Sequence, residues 1–227
     1  MIRRFDSPNH RTAGSAAGRT VFPIHRRNPA TGAGGWTLIE LLAALAVFAL
    51  FVTLSAPPLL RAASRNRMRL AASEVASSMK LARAYAVRHS ARVGLRFDTG
   101  GDGKPTWALY RDGDGDGVLA RDVRDGTDPR VREAGFRRIG TAARFGFPDG
   151  PAPRDPGNPS RRLDRLDDPI RFNRSDTASF DPVGTATPGT VYLTDGRDEL
   201  VAVRVTNRTG RIRVLRYDYA TETWDGI

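Results

Sequence analysis

The sequence predicts an α+β fold in which one long N-terminal helix packs on an antiparallel β-sheet. From about residue 59 to residue 89, apolar side chains recur at three- and four-residue steps, which places them on one face of a helix. Beyond residue 90, apolar and polar residues alternate, as they do in strands with one buried face. A helix followed by a run of strands is the order expected of an α+β domain.

Composition limits the function classes. The chain has 227 residues, 40% of them hydrophobic, enough for one globular domain with an appendage. Its mean hydropathy of −0.41 excludes a protein with many membrane spans. The chain has no cysteine, which excludes disulfides, thiolate metal sites and cysteine nucleophiles. Residues 1–35 carry six arginines and one aspartate, so their removal would lower the net charge from +11 to +6.

The segment from Trp36 to Ala56 has the composition of a membrane span. Its 21 residues include a single ionisable group, Glu40. As a helix it would be about 32 Å long, which matches the hydrocarbon core of a bilayer. Arginines precede it, so the positive-inside rule places residues 1–35 in the cytoplasm and exports the rest. A secretory signal peptide would have a shorter apolar core, although Leu54-Ser55-Ala56 loosely resembles its cleavage site.

A plain signal anchor would explain the length and orientation of this segment, but not Glu40. A carboxylate inside lipid costs roughly 2.5–3.5 kcal/mol, so we expect it to have a purpose. The sequence Gly34-Gly35-Trp36-Thr37-Leu38-Ile39-Glu40-Leu41-Leu42 resembles the type IV prepilin signature. The resemblance implies that a prepilin peptidase cleaves after Gly35 and that the amine of Trp36 is then methylated. It also makes Glu40 the fifth and Pro57 the twenty-second mature residue, the positions of the family's glutamate and kinking proline.

Two features depart from that signature: Trp36 stands where phenylalanine is usual, and a leader of 35 residues is long. In a filament, Glu40 could pair with the terminal amine of Trp36 on a neighbouring subunit. We therefore expect a cleaved cytoplasmic leader over 1–35 and a transmembrane and assembly helix over 36–57.

The second half of the helix, residues 58–90, is predicted to be amphipathic. We expect Pro57-Pro58 to interrupt the helix, because proline lacks an amide donor and clashes with the preceding turn. The helix should then resume at Leu59 and end near His89. Its apolar stripe consists of Met68, Ala72, Val75, Met79, Ala82 and Ala86. The basic residues of this half lie mostly on the other faces, which we expect to be exposed to water.

Residues 91–227 are predicted to form the exported β-rich domain. Strands are expected at 93–97, 107–110, 143–147, 170–173, 190–194, 200–206 and 211–219. Asn207 to Gly210 should form the hairpin turn between the last two strands. Four prolines lie among charged residues in 149–168, which we therefore predict to be a mobile loop.

The helix and the final hairpin resemble the GspH/FimT branch of the pseudopilins. The resemblance rests on Lys80-Leu81-Ala82-Arg83-Ala84-Tyr85-Ala86-Val87-Arg88-His89-Ser90 and on Gly210-Arg211-Ile212-Arg213. It implies a type IV pilin-like fold and a minor pseudopilin of a type II secretion system or a related type IV pilus. Such a protein would be anchored in the inner membrane with its domain in the periplasm. There it would contact other pseudopilins, help to initiate the filament, or contact secreted cargo.

Asp112, Asp114 and Asp116 alternate with glycines and form the best candidate metal site. Carboxylates at this spacing can converge on Ca²⁺, which prefers several oxygen ligands. The pattern matches the first half of an EF-hand loop, including glycine in the sixth place, but the twelfth place is Val123. No flanking helix is evident, and Asp122 or Asp125 could take the twelfth place only with a different loop path. An acidic turn that binds nothing is the alternative.

The C-terminal hairpin carries a candidate DNA-binding motif. Some FimT-like proteins bind DNA for uptake through a Gly-Arg-x-Arg sequence, which Gly210, Arg211 and Arg213 match. Arginines at a hairpin could contact successive phosphates. The same arginines could instead contact neighbouring subunits.

The sequence does not predict an enzyme. Two of its three histidines, His10 and His25, lie in the expected leader, and His89 lies at the expected C-terminus of the helix. No nucleophile–base pair or nucleotide-binding loop is recognisable.

Overall fold

The computed structural model describes residues 35–100, 106–131, 136–138, 143–173 and 175–227. The predicted leader, apart from Gly35, lies outside them. Helix α1 spans Leu38–His89 and the short helix α2 spans Ala120–Asp125. The strands are β1 (Val93–Asp98), β2 (Thr106–Arg111), β3 (Phe136–Arg138), β4 (Arg144–Phe145), β5 (Arg154–Asp155), β6 (Asn158–Arg162), β7 (Ile170–Arg171), β8 (Thr177–Phe180), β9 (Gly189–Thr194), β10 (Leu200–Val205), β11 (Ile212–Asp218) and β12 (Thr223–Gly226). The predicted α+β class is confirmed.

Helix α1 is continuous through Pro57-Pro58, so the predicted interruption is wrong. Two adjacent prolines remove two amide donors, which leaves the carbonyls of Thr53 and Leu54 without their usual partners. Leucine and alanine, which favour helix, lie on both sides. The fixed φ of proline is also compatible with helical geometry. The chain divides between Phe48 and Ala49 into two units, and every strand of the described residues belongs to the second.

The strands form two main antiparallel sheets rather than one sheet wrapped on the helix. The first has the order β3-β2-β1-β8. The second has the order β12-β11-β10-β9-β4, and β7 also pairs with β9. The prediction of a single sheet failed because strand pairing is set by contacts distant in sequence. In particular, β8 was not predicted, yet it pairs with β1 from Val93 to Arg96.

One hydrophobic core joins α1 to both sheets. All six residues of the predicted helical stripe are buried in it. An aromatic cluster lies where the two sheets meet: Phe97 of β1 stacks on Phe172 at 6.2 Å and meets the edge of Phe145 at 5.7 Å. Trp107 packs against the same cluster, 6.3 Å from Phe97. The small residues of the stripe allow this close packing.

A nearly buried carboxylate fastens α1 to the second sheet. Glu199 is 5% exposed and accepts hydrogen bonds from Arg65 of α1 and Arg216 of β11, each at 3.0 Å. Beside it, the hydroxyl of Ser64 donates to Asp195 at 2.6 Å. A buried charge is tolerated when it is paired in this way.

The segment 149–168 contains a hairpin that the prediction of a mobile loop missed. Strands β5 and β6 pair within it, and Leu163 packs in a second apolar cluster with Tyr192 and Tyr217 on the other face of the second sheet. Arg154 and Arg162 both bind Glu222. These ion pairs, with Arg162 first, hold the pKa of Glu222 below its usual range. The sequence could not show them, because the partners lie about sixty residues apart.

Candidate assembly and binding sites

Gly35, Trp36 and Glu40, three of the four predicted processing and assembly residues, lie at the start of α1 or just before it. Thr37 precedes the helix, and its hydroxyl accepts a hydrogen bond from the amide of Glu40 at 3.2 Å. This is half of a capping box, whose signal in the sequence is a threonine followed three residues later by a glutamate. The carboxylate of Glu40 also lies in the first turn, where the helix dipole favours negative charge. Glu40 therefore has a local role in the helix besides any role in assembly.

The residues that flank the expected cleavage site are open to solvent. Trp36 is 74% exposed, and a Cβ added to Gly35 would meet no atom within 4 Å. Helix α1 is long and apolar enough to cross a membrane, and no residue of its most apolar window is buried. Pro57 lies inside the continuous helix.

The three aspartates of the candidate metal site do converge. One carboxylate oxygen from each of Asp112, Asp114 and Asp116 lies within 4.8 Å of the other two. The fold shapes the loop through a residue that the sequence analysis missed. Asp128, 1% exposed, accepts hydrogen bonds from the amides of Gly113 and Leu119, each at 3.0 Å. It thereby closes the loop at both ends.

Protein groups already occupy much of the loop's acceptor capacity. Asp112 accepts from the amides of Gly115 and Gly117 at 2.6 and 3.0 Å. Arg121 binds Asp116 at 2.6 Å and Asp122 at 3.0 Å. Partial desolvation and the neighbouring Asp114 carboxylate nevertheless raise the pKa of Asp116.

The expectation that no helix flanks the loop is wrong, since α2 begins at Ala120. Asp122, which could have replaced the missing twelfth ligand, is nearly buried against Arg121 instead. The residues thus offer three converging oxygens without the bidentate ligand of a full EF-hand.

Calcium binding stays a prediction, which thermal unfolding can test. If the three carboxylates bind Ca²⁺, the midpoint temperature of unfolding should rise as CaCl₂ is added up to roughly 10 mM. That concentration exceeds the dissociation constants of weak extracellular calcium sites. Asp114→Ala should abolish the rise, because alanine has no side-chain oxygen to bind the ion, and the exposed position should tolerate the change. The control Asp198→Ala removes an exposed carboxylate outside the loop and should keep the rise. An unchanged midpoint for the unmodified chain would favour the acidic turn that binds nothing.

The predicted arginine hairpin has the expected turn. The amide of Gly210 donates to the carbonyl of Asn207 at 3.0 Å, and the amide of Thr206 donates to that of Arg211 at 2.9 Å. Gly210 has φ +70°, a left-handed conformation that suits glycine. A Cβ there would approach Arg83 of α1 to 3.2 Å, so the turn packs closely on the helix.

The two arginines of the motif have different surroundings. Both are exposed. Arg211 precedes β11 and lines a groove beside α1. Arg213 lies within β11, directly opposite Arg204 of β10, and is not among the residues that line the groove. The motif therefore does not form a single cluster of its own.

Comparison with known proteins identifies the family. A family model described as "Type II transport protein GspH" matches residues 71–210, more than half of the chain. Among solved structures, the minor pseudopilin EpsH from the type 2 secretion system of Vibrio cholerae is similar, at 14% sequence identity and a TM-score of 0.41. That match covers 65% of this chain and 94% of the other. None of the curated proteins matches. On the family match, the chain belongs to the GspH family of type II transport proteins.

Proposed function

We propose that the protein is a minor pseudopilin that is cleaved after Gly35, anchored in the inner membrane through α1, and built into the pseudopilus of a type II secretion system. Its domain, residues 91–227, would lie in the periplasm, and its role would be to help initiate the filament. The observation that carries the proposal is the spacing of three residues in a GspH-family chain. Gly35 lies just before α1, and Glu40 and Pro57 lie within it, on a helix that contains an apolar, unburied window long enough to cross a membrane.

The physical argument concerns Glu40. In lipid an unpaired carboxylate is costly, and its cap on the first turn offsets only part of that cost. In a filament it can meet the terminal ammonium of Trp36 on a neighbouring subunit. This contact would form only after cleavage and would favour the assembled state over the free one.

The capping box permits a sharp test. Glu40→Gln keeps a side chain that can complete the cap but removes the charge, whereas Glu40→Leu removes both. We expect incorporation of both variants into the filament to fall about tenfold or more, which corresponds to the loss of about 1.4 kcal/mol of assembly free energy. If Glu40→Gln assembled as well as the unmodified chain, the capping role alone would explain Glu40 and the charge-pairing argument would fail.

The measurement can exploit the absence of cysteine from the chain. The substitution Leu42→Cys introduces a single cysteine, which is labelled with a photoreactive maleimide. Cross-links to other pseudopilins are then measured in cells that contain the whole secretion system. Glu74→Gln, also in α1 but in the second compact unit, is the matched control and should cross-link normally. Secretion of a reporter substrate provides the functional readout.

DNA uptake is the second candidate function, favoured by the exposure of Arg211 and Arg213. It requires that both arginines contribute to binding, because a backbone of regularly spaced phosphates would meet both. Salt-dependent binding of DNA that each of Arg211→Ala and Arg213→Ala weakens would support this function. Similar affinities for the two variants and the unmodified chain would exclude it.

A further inference from the structure

A groove with a cationic rim and an apolar floor lies between the C-terminal part of α1 and the start of β11. Its volume is about 660 Å³. It is lined by Lys80, Arg83, Ala84, Val87, Arg88, Gly210, Arg211 and Ile212. The five helix residues lie three and four positions apart, so they share one face of α1. That face adjoins the buried stripe but remains exposed.

The charge of this groove is one-sided. Four of its eight lining residues are cations and none is an acid. Within the described part of the chain, Lys80, Arg88 and Arg211 form no ion pair. Arg83 donates a hydrogen bond from Nε to the carbonyl of Gly184 at 3.1 Å, which positions its guanidinium at the groove. Like charges around one groove repel each other, and a bound anion would relieve that repulsion.

The floor of the groove is apolar and open. Val87 is 52% exposed, and Ala84 and Ile212 lie beside it along the groove. Gly184, which approaches Val87, follows Val183, whose side chain is 84% exposed. Exposed apolar side chains framed by charges are typical of protein interaction sites.

From these features we infer that the groove binds an acidic segment of a partner protein that also carries apolar side chains. Its carboxylates would meet Lys80, Arg88 and Arg211, and its apolar side chains would cover Val87 and Ile212. The groove fits DNA less well, since no aromatic side chain lines it to stack on bases and Arg213 lies outside it. If α1 spans the membrane up to Ala56, Lys80 lies about 36 Å farther along the helix. This distance is several times the length over which salt screens charges, so anionic lipid headgroups would attract the groove only weakly.

Binding of a defined probe to the full chain in micelles of an uncharged detergent tests the inference. The probe is a fluorescent 12-residue peptide that alternates glutamate with leucine, measured by anisotropy. Two further peptides replace its leucines by serine or its glutamates by lysine, and a 12-nucleotide single strand of DNA is the competitor. We expect the glutamate–leucine peptide to bind best and its affinity to fall with salt.

Charge reversal locates the site. Arg88→Glu and Arg211→Glu together should weaken binding by about tenfold or more, since each reversal replaces an attraction by a repulsion. Val87→Asp should weaken it as well, by placing a carboxylate on the floor. Arg213→Glu is the matched control: this exposed arginine lies two residues beyond Arg211, in β11 and outside the groove, and its reversal should leave affinity within about twofold. Circular dichroism checks that each variant is folded.

Three results would overturn the inference. The first is absence of peptide binding at low salt. The second is a glutamate–serine peptide that binds as tightly as the glutamate–leucine peptide, which would mean that only the attraction between opposite charges holds the peptide. The third is DNA that binds more tightly than the peptide and is weakened equally by Arg211→Glu and Arg213→Glu, which would assign these arginines to nucleic acid.

Discussion

Replacing Gly35 with valine is expected to leave the whole chain uncleaved in cells that contain a prepilin peptidase. A peptidase that cuts after glycine must bring the backbone close to its catalytic groups, and a β-branched side chain would obstruct that approach. Because a Cβ on Gly35 meets no atom within 4 Å, the substitution should not disturb the fold. Any loss of cleavage can therefore be assigned to recognition by the peptidase.

The readouts are the mobility of the chain on a denaturing gel and the sequence of its new N-terminus. The unmodified chain should begin at Trp36, with one added methyl group on its amine. Trp36→Phe is the matched control and should be cleaved normally, since phenylalanine is the usual first residue of the family.

Two outcomes would contradict this prediction. A signal anchor without cleavage would give a full-length chain even without any substitution. Cleavage after Ala56, by contrast, would give a chain that begins at Pro57 whether or not Gly35 is present. Either result would remove the processing step on which the proposed assembly contact of Glu40 depends.

Phe97→Ala is expected to destabilise the domain by about 3–5 kcal/mol, the usual cost of truncating a buried aromatic residue. Phe97 is 1% exposed and touches aromatic rings of both sheets, so the cavity would open where the sheets meet. Such a loss is a large part of the stability of an ordinary domain. Phe97→Leu should cost less, because leucine fills most of the same space.

Urea unfolding of the full chain in detergent measures this loss. Tryptophan fluorescence follows the unfolding, and Trp107, whose ring lies 6.3 Å from Phe97, contributes to that signal. Val183→Ala is the control on an 84% exposed side chain and should change the free energy of unfolding by less than about 0.5 kcal/mol. A loss below about 1 kcal/mol for Phe97→Ala would mean that the cluster collapses around the gap.

The local patterns of the sequence were sufficient for the helix stripe and most strands. Every residue of the predicted stripe is buried, because three- and four-residue spacing fixes one face of a helix whatever it packs against. The strand from Val93 was found because alternation fixes which side chains face inward. The strand from Leu200 was found as a nearly continuous apolar run, and both of its faces are indeed buried. The turn at Gly210 followed from its own residue types.

Long-range contacts decided what these patterns could not. Strand β8 has only four residues, too few for their alternation to predict a strand, and it forms by pairing with β1. The hairpin of β5 and β6 contains prolines that suggested a loop, but its ion pairs with Glu222 hold it in place. Asp128 closes the acidic loop from outside the motif that the sequence displays.

The sequence by itself determined the precursor signature, the apolar helix and the α+β order, because each depends on residues close together in the chain. Only the tertiary structure decided that the strands form two sheets and that Arg211 joins Lys80 and Arg88 at one groove. More than 120 residues separate Arg211 from Arg88 in the sequence. The physical reason is that side chains so distant meet only when strands pair and the sheet packs on the helix, and no local spacing records that meeting.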